Sequence, residues 1–388
     1  MYSGAAAPDN PAVASVHETT PDFSLPALDL RLVARRAALP LALAAAALAV
    51  VVLAGGPIGV LTDALSRALS ADPRWIAVAA VAEALSFLGY VALFWLVGHR
   101  ATMRLDLRAS AEITLGGAAA TRLLPTAGAG GAALTLWAIA KTGMGSKRAG
   151  RMLLTFLSLL YGVFLAGIAI SGTAIALGLG GSAEHTAVAA GGALAAVLAL
   201  ATAVALGLRR GEAADGAGRV ARAAALLGAS VRDAVGFVRA RDARLLGAPA
   251  WWAFDAAVLW ATFNALGSPP PLAVLAFAYL AGQVGNTIPL PGAVAGGMVG
   301  TLLAFGVAPD LAVSSVLAYR AVAIWLPAPL GLAALGALRA RVARWSREDG
   351  DAAEPVGAIV DPIPVPARRP TALAVPRLTV AAPCTSSP

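Results

Sequence analysis

The sequence has few of the residues that build catalytic and metal sites in soluble enzymes. Its 388 residues include one cysteine, Cys384, and three histidines, which are scattered through predicted tails and loops. A single cysteine excludes an intrachain disulfide and a cysteine-based metal cage. The sequence also has no phosphate-binding Gly-rich loop with its Lys and no metal-spaced His/Glu cluster. We therefore expect no metal, no cofactor and no recognisable catalytic residue, and an enzyme is the less favoured interpretation.

Charged residues are also scarce. They make up 13% of the chain, against about 25% in a soluble domain. Hydrophobic residues make up 59%, and the mean hydropathy is +0.77. The arginines behind the formal net charge of +8 lie at the ends of long apolar segments, where lipid phosphates would be. This pattern predicts a polytopic integral membrane protein whose partners are membrane lipids rather than nucleic acid.

Six apolar segments have lengths that suit transmembrane α-helices. They are residues 37–53, 75–97, 152–170, 186–206, 248–266 and 311–338. Residues 1–30 and 343–388 are predicted to be disordered cytoplasmic tails around a transmembrane domain at 31–342. Residues 209–247 form a charged insertion with eight arginines and with apolar residues at helical spacing. The insertion is either an amphipathic helix on the membrane surface or a solvated helix packed on cytoplasmic helix ends.

Two further apolar stretches are interrupted by proline and glycine. Residues 111–141 break at Pro125, and residues 271–306 break at Pro289 and Pro291. Neither stretch is long enough for two full spans of ~20 residues each. Two half-helices that meet at the prolines fit both lengths, so we predict two re-entrant hairpins.

The arginine clusters provide an independent test of these hairpins. If both hairpins are re-entrant and six segments cross, the arginine-rich stretches all fall on one side of the membrane. Those stretches are residues 31–36, 100–108, 147–151, 209–244 and 339–347. This is the positive-inside pattern. It predicts that both termini lie in the cytoplasm. The Ala- and Arg-rich composition is typical of a GC-rich bacterial genome, so the predicted location is the bacterial cytoplasmic membrane.

The two interrupted stretches also resemble each other in sequence. Residues 121–138 align with residues 287–304 without a gap. The matches include Thr121 with Thr287, Leu124 with Leu290, Pro125 with Pro291, Gly130 with Gly296 and Gly131 with Gly297. Three predicted spans separate the copies, and an odd number inverts the second copy. Inverted repeats of broken helices are a transporter design, and we expect backbones to approach at Gly130 and Gly296. The alternative is glycine used only for tight helix packing.

Four charged residues lie within apolar segments, namely Glu83, Arg122, Asp255 and Arg320. A charge at the bilayer centre costs ~2.5–3.5 kcal/mol on insertion scales, so each should face the bundle interior and have a partner. By charge alone, the first pairs to expect are Glu83–Arg122 and Asp255–Arg320. The alternative role for Arg122 and Arg320 is to hold a lipid phosphate bidentately.

Several short motifs resemble a known family. They are Leu123-Leu-Pro125, Pro289-Leu-Pro-Gly292, Ala304-Phe-Gly-Val307, Tyr319-Arg320 and Trp325-Leu-Pro327. As a set they are similar to the flippase-type transmembrane region of lysylphosphatidylglycerol synthetases, over roughly residues 30–342. Family members often carry acidic residues near positions occupied here by Gly131 and Met298, so this chain departs from the family there. The soluble aminoacyl-transfer domain of the full synthetases is also absent, which argues against lysyl transfer.

The resemblance and the repeat imply a lipid translocase or a protein that binds lipid head groups, acting on anionic or glycosylated lipids. Two alternatives stay open: an intramembrane transferase with a lipid-linked donor, and a scaffold for a cell-envelope enzyme. A homo-oligomer is also open. The candidate substrate-binding residues are Arg122, Pro125, Gly130, Gly131, Gln283, Asn286, Pro289, Pro291, Gly292, Tyr319 and Arg320, with Glu83 and Asp255 as intramembrane charges.

Overall fold

The computed structural model describes residues 70–123, 129–179, 186–209, 218–288 and 292–348. Every regular element in these ranges is helical. The predicted all-α, polytopic membrane fold is therefore confirmed. The predicted first span at 37–53 and the N-terminal tail lie outside the described residues.

The α-helices are numbered in chain order. They are α1 (Pro73–Ala101), α2 (Leu107–Leu123), α3 (Ala129–Ala140), α4 (Ser146–Ala174), α5 (Thr186–Leu208), α6 (Arg219–Arg239), α7 (Gly247–Leu266), α8 (Leu272–Gln283), α9 (Ala293–Ala304), α10 (Pro309–Trp325) and α11 (Pro327–Glu348). A π-helical stretch, Ile175–Leu179, extends α4, and 3₁₀ helices at Ala243–Leu246 and Val284–Thr287 precede α7 and follow α8.

Four of these stretches are long and apolar enough to cross a membrane: α1, α4 with its extension, α5, and the run from α10 to α11. The last of them differs from its prediction. The predicted single span at 311–338 is two helices, because Pro327 lacks the backbone N–H that would continue α10. The predicted C-terminal tail is also wrong at residues 343–348, since α11 continues to Glu348.

The centre of the bundle is an antiparallel pair formed by α1 and α7. At one end of the pair, the Asp72 backbone N–H donates to the Ala265 carbonyl at 3.1 Å. Further along, the Ser86 hydroxyl donates to the Trp251 carbonyl at 2.9 Å. Rising residue numbers in α1 therefore meet falling numbers in α7.

The two interrupted stretches are helical hairpins, α2–α3 and α8–α9. Helices α3, α8 and α9 have 12 residues each. That is about 18 Å at 1.5 Å per residue, well short of a hydrocarbon core of ~30 Å. The base of the first hairpin lies beside the end of α1, where Arg104 donates to the Thr142 carbonyl at 3.3 Å. The second hairpin follows α7, at the end of the bundle where Asp72 meets Ala265. The two hairpins therefore open at opposite ends, as predicted.

The inverted repeat extends beyond the hairpins. The shift of 166 positions that places Thr121 on Thr287 also places α1 near α7 and α4 on the α10–α11 run. The packing partners repeat as well, since α2 packs on α11 as α8 packs on α4, and α3 packs on α4 as α9 packs on α10. Since α1 and α7 are antiparallel equivalents, the two copies are related by inversion in the bundle.

One end of the bundle gathers arginines from several helices, and we call it the arginine-rich end. Arg148 donates to the Ala101 carbonyl at 2.9 Å, which joins the start of α4 to the end of α1. The insertion helix α6 packs on α4 and α5 at this end. Arg151 holds Asp233 of α6 through two hydrogen bonds of 2.6 and 2.7 Å.

The insertion therefore packs one face against the helix ends. Ser230, Val231 and Ala234 on that face are buried, whereas Val220 and Val238 are exposed. This face agrees with the second predicted alternative, in which the insertion is a helix packed on the ends of other helices. Contact between the exposed face of α6, which carries these valines, and the membrane surface stays a prediction.

Candidate functional site

The strongest candidate site is built around Asp255, which lies in α7 and is only 2% exposed. Asp255 precedes Ala265 by ten residues. This places it about 15 Å along the helix from the end of the bundle. That distance is about half of a ~30 Å hydrocarbon core, so the carboxylate lies near the middle of the bundle's depth.

Two buried tyrosines hold this carboxylate. The Tyr279 hydroxyl of α8 donates to Asp255 Oδ2 at 2.5 Å. The Tyr319 hydroxyl of α10 lies 3.2 Å and 3.3 Å from the two carboxylate oxygens. Tyr279 is fully buried and Tyr319 is 1% exposed. A buried carboxylate needs such donors, because an unsatisfied charge in a low-dielectric interior is strongly destabilising.

Two amide side chains extend this network to the surface. Gln283 Nε2 donates to the Tyr319 hydroxyl at 3.1 Å and lies 3.4 Å from Asp255 Oδ2. Asn286 Nδ2 donates to Gln283 Oε1 at 2.7 Å, and Asn286 is exposed. The five side chains form a continuous hydrogen-bonded path, which we call the Asp255 network. It leads from the buried carboxylate to the tip of the second hairpin.

The local sequence explains how α8 and the 3₁₀ helix that follows it supply three of these groups. Tyr279 and Gln283 are four residues apart on α8, so they share one helix face. Asn286 comes three residues later in the 3₁₀ helix and continues that face. The tip can close because Gly285 lies against Ala293, where a Cβ on Gly285 would be 2.6 Å from the Ala293 carbonyl carbon. Gly292 starts α9 with a φ of 84°, a conformation that favours glycine.

The expected ion pair between Asp255 and Arg320 is wrong. Among the described residues, Asp255 receives its hydrogen bonds from Tyr279, Tyr319 and Gln283, and no ion pair with Arg320 forms. Arg320 is half-buried on α10. It follows Tyr319 in the chain, and successive residues of a helix point about 100° apart. Only one of the two side chains can therefore face Asp255.

Glu83 of α1 is also buried, at 1% exposure. The antiparallel register of α1 and α7, set by the hydrogen bond from Ser86 to Trp251, places Glu83 at about the level of Asp255. Its predicted partner, Arg122, lies in the last turn of α2, and the Arg122 side chain is outside the described residues. The Glu83–Arg122 pair therefore stays a prediction.

A scan against known protein families matches residues 37–331 to the lysylphosphatidylglycerol synthase TM region. The chain belongs to this family. The match runs from the predicted first span to the start of α11 and includes every residue of the Asp255 network. A search of curated proteins found no match.

In this member of the lysylphosphatidylglycerol synthase TM family, the glycines of the first hairpin join helices. A Cβ on Gly131 would clash with the Thr121 hydroxyl and would lie 2.5 Å from the Gly117 carbonyl oxygen. Gly131 thus brings α3 against α2, and Gly130 precedes it in the first turn of α3. Binding of substrate by these glycines stays a prediction, as it does for Pro125, Pro289 and Pro291, which lie outside the described residues.

The second hairpin corrects the expectation for its paired glycines. We expected close backbone approach at Gly296, but a Cβ on Gly296 would have no neighbouring atom within 4 Å. At the next residue, Gly297, an added Cβ would lie 3.1 Å from the Gly282 Cα. Met298, near which family members often carry an acidic residue, is fully buried against Gly282. The close approach is therefore one residue later than predicted.

Sequence reasoning missed Tyr279. It lies in an apolar stretch in which a tyrosine reads as an ordinary core aromatic, and charge pairing pointed to arginine instead. Its spacing of four and seven residues from Gln283 and Asn286 was the available signal, because these spacings place polar groups on one helix face.

The network offers oxygen acceptors and amide groups rather than a metal site. In the described ranges, no cluster of three or more His, Cys, Asp or Glu could hold a metal ion. The donors to Asp255 in the described part of the chain are Tyr279, Tyr319 and Gln283, which are neutral. A carboxylate in such surroundings can accept hydrogen bonds from an ammonium group or from hydroxyls that enter from the hairpin tip.

Proposed function

We propose that this protein binds the polar head group of a membrane lipid at the Asp255 network and moves that lipid between leaflets. The observation that carries the proposal is the buried Asp255 carboxylate, held at mid-depth by neutral groups and connected to the exposed Asn286. Ionisable residues within membrane segments are costly and usually mark a substrate or ion pathway.

The hairpin architecture supports the same proposal. The two hairpins open at opposite ends of the bundle, so their tips point inward from both sides. Broken helices at the interface of inverted repeats form the substrate sites of many transporters, where freed backbone groups and helix ends can face a polar ligand. The Asp255 network reaches the tip of the second hairpin at Asn286, which supports a head-group site near that tip.

The chemistry of the network favours head groups that donate hydrogen bonds. Asp255 accepts them from an amine or from sugar hydroxyls, and the amides of Gln283 and Asn286 can both donate and accept. The rings of Tyr279 and Tyr319 stand edge to face with centroids 6.2 Å apart beside the carboxylate. A lipid phosphate would be repelled by Asp255, so we assign it to Arg122 or to the half-buried Arg320.

We further propose that the arginine-rich end faces the cytoplasm of a bacterial cell. The positive-inside rule supports this orientation, because arginines from α1, α4 and α6 meet at that end. A cysteine placed in α6 should then react with an impermeant reagent only after the inner face is opened.

A second candidate function is an intramembrane transferase with a lipid-linked donor. Such an enzyme needs a carboxylate in a polar site, and Asp255 meets that requirement. The two functions differ in outcome, because a transferase changes the mass of its lipid and a translocase does not.

The test reconstitutes the purified protein into liposomes that contain fluorescent lipids with amine, sugar or phosphoglycerol head groups. A quencher added outside measures exchange between leaflets, and mass spectrometry detects chemical change. We expect exchange by the native protein, and about a tenfold or larger loss in Asp255→Asn and Tyr319→Phe, since hydrogen bonds to charged groups contribute about 1.5–3 kcal/mol.

The matched control is Tyr161→Phe, which removes a tyrosine hydroxyl from α4 and keeps the ring contacts to Phe164 and Trp252. This control should keep full exchange. Well-folded Asp255→Asn and Tyr319→Phe variants with full exchange would show that the network only packs the bundle. If the native protein exchanges none of the lipids, the translocase function is wrong, and the transferase and scaffold functions are the remaining candidates.

A further inference from the structure

A second polar feature lies far from the Asp255 network, at the arginine-rich end. Helices α1, α4 and α6 enclose a cleft of about 600 Å³. Arg100 lines it from α1, Arg148 and Arg151 from α4, and Arg232 and Asp233 from α6. We call this the α6 cleft.

The charges in the α6 cleft do not balance among the described residues. Four guanidinium groups face one carboxylate, and Asp233 is already held bidentately by Arg151. Arg100 lies 3.5 Å from Asp242 outside the cleft, but Asp242 also binds Arg244 at 2.8 Å. The cleft therefore keeps an excess of positive charge.

Two of the arginines are positioned by backbone carbonyls rather than by acids. Arg148 Nη2 donates to the Ala101 carbonyl at 2.9 Å. Arg232 Nη1 donates to the Arg209 carbonyl at 2.8 Å and to the Gly207 carbonyl at 3.2 Å. These bonds use some of the five N–H groups of each guanidinium and fix its position. The remaining N–H groups can bind an anion without a large ordering cost.

The floor of the α6 cleft is apolar. Val97 and Met152 are 3% and 5% exposed, and the Phe237 ring lies under the Arg100 guanidinium at 4.8 Å. A soluble phosphate would gain nothing from such a floor. A lipid would gain from both parts, because its phosphate can meet the arginines while its glycerol and upper acyl carbons contact the floor.

We propose that the α6 cleft binds the phosphate of an anionic lipid from the leaflet on the arginine-rich side. This assigns a role to the insertion at 209–247, which completes the cleft by placing Arg232 and Phe237 opposite α1 and α4. The site is separate from the Asp255 network and does not depend on lipid translocation.

The test measures thermal stability of the full chain in dodecyl maltoside while a lipid is titrated, because a ligand that binds the folded state raises its stability. The probes are short-chain phosphatidylglycerol, short-chain phosphatidylcholine and inorganic phosphate. We expect phosphatidylglycerol to reach half of its effect at a concentration at least tenfold lower than phosphatidylcholine does. Inorganic phosphate should have no effect at the same concentrations.

The variant Arg148→Gln/Arg232→Gln should remove this preference for phosphatidylglycerol. The matched control, Arg222→Gln/Arg239→Gln, loses the same charge from exposed positions of α6 and should behave as the native protein within about twofold, as expected for exposed sites. A further variant, Arg148→Lys/Arg232→Lys, keeps the charge and should retain only part of the preference, because lysine cannot bind bidentately.

Three outcomes would overturn the proposal. The first is an unchanged preference in Arg148→Gln/Arg232→Gln, and the second is an equal loss in the control. The third is an equal effect of inorganic phosphate, which would make the cleft a site for soluble anions. If Arg148→Gln/Arg232→Gln does not fold, Arg148→Lys/Arg232→Lys serves as the test. Full retention of the preference for phosphatidylglycerol in the Lys variant would contradict bidentate binding.

Discussion

Replacing Arg341 tests how the first hairpin is held against the last helix. Arg341 of α11 binds Glu112 of α2 through two hydrogen bonds, Nε to Oε2 at 2.6 Å and Nη2 to Oε1 at 2.8 Å. The two side chains are only 10% and 9% exposed. Removing one member of a buried pair leaves the other charge uncompensated, and this typically costs about 3–5 kcal/mol.

The neighbours of the pair make the two single substitutions unequal. Glu112 has a second partner in Arg108 at 3.3 Å, although the Arg108 side chain is 79% exposed. Among the described residues, the other carboxylate near Arg341 is that of Asp106, at 4.0 Å. We therefore expect about 2–3 kcal/mol of destabilisation for Arg341→Met and about 3–5 kcal/mol for Glu112→Leu, which leaves a buried arginine. The double variant should recover at least about 2 kcal/mol relative to the sum, because two apolar side chains need no partner.

The assay is reversible unfolding in mixed micelles of dodecyl maltoside and sodium dodecyl sulfate, followed by tryptophan fluorescence. Arg108→Gln is the control, since an exposed ion pair contributes at most about 1 kcal/mol. Additive single effects would refute a direct buried pair. An Arg108→Gln cost as large as that of Arg341→Met would show that the exposed arginine holds Glu112.

Two further predictions concern corrected expectations. Gly131→Ala should destabilise the protein by about 1–3 kcal/mol through overpacking, whereas Gly296→Ala should be neutral or stabilising by up to about 1 kcal/mol, because its Cβ meets no atom within 4 Å. Thermal unfolding of the two variants in detergent measures the difference. A larger loss of stability in Gly296→Ala than in Gly131→Ala would contradict the placement of the close approach. In a double-mutant cycle of Asp255→Ala and Arg320→Ala, unfolding free energies should add within about 0.5 kcal/mol, and a coupling above about 1 kcal/mol would restore the rejected ion pair.

The sequence predicted the hairpins and their inversion because those features depend on local patterns. Hydropathy marks the spans, and a proline between short apolar stretches interrupts the helix because it has no backbone N–H. The odd number of spans between the copies then fixes their relative orientation. None of these steps needs knowledge of which side chains meet. The two hairpins and their opposite orientation are present in the structure, but the predicted span at 248–266 is not among the four described stretches that are long and apolar enough to cross a membrane.

Side-chain partners were not predictable in the same way. Charge alone predicted that Asp255 pairs with Arg320. In the structure Tyr319 faces the carboxylate instead, and Arg320 points away because neighbouring residues of a helix are rotated by about 100°. The Glu112–Arg341 pair was missed because its members are 229 residues apart. Arg341 belongs to the arginine-rich stretch at 339–347, whereas Glu112 belongs to the first interrupted stretch at 111–141, so no local pattern connects them. Both errors arise at contacts between helices, where the sequence gives no distance.

The Asp255 network also departs from the symmetry of the fold that contains it. At the repeat shift of 166 positions, four of its members have apolar or glycine equivalents in the first copy. The equivalent pairs are Asp255 and Gly89, Tyr279 and Ile113, Gln283 and Gly117, and Tyr319 and Leu153. The scaffold is thus duplicated, whereas the polar chemistry is present once.

The packing of the central helices explains why the first copy has no such carboxylate. A Cβ on Gly89 would lie 2.8 Å from the Gly247 carbonyl oxygen and 2.9 Å from the Ala250 Cβ. Any side chain at that position would force α1 away from α7, which form the central pair of the bundle. The close seating of α1 on α7 therefore requires glycine at residue 89, and a carboxylate equivalent to Asp255 could be added there only by separating the two helices that hold the inverted copies together.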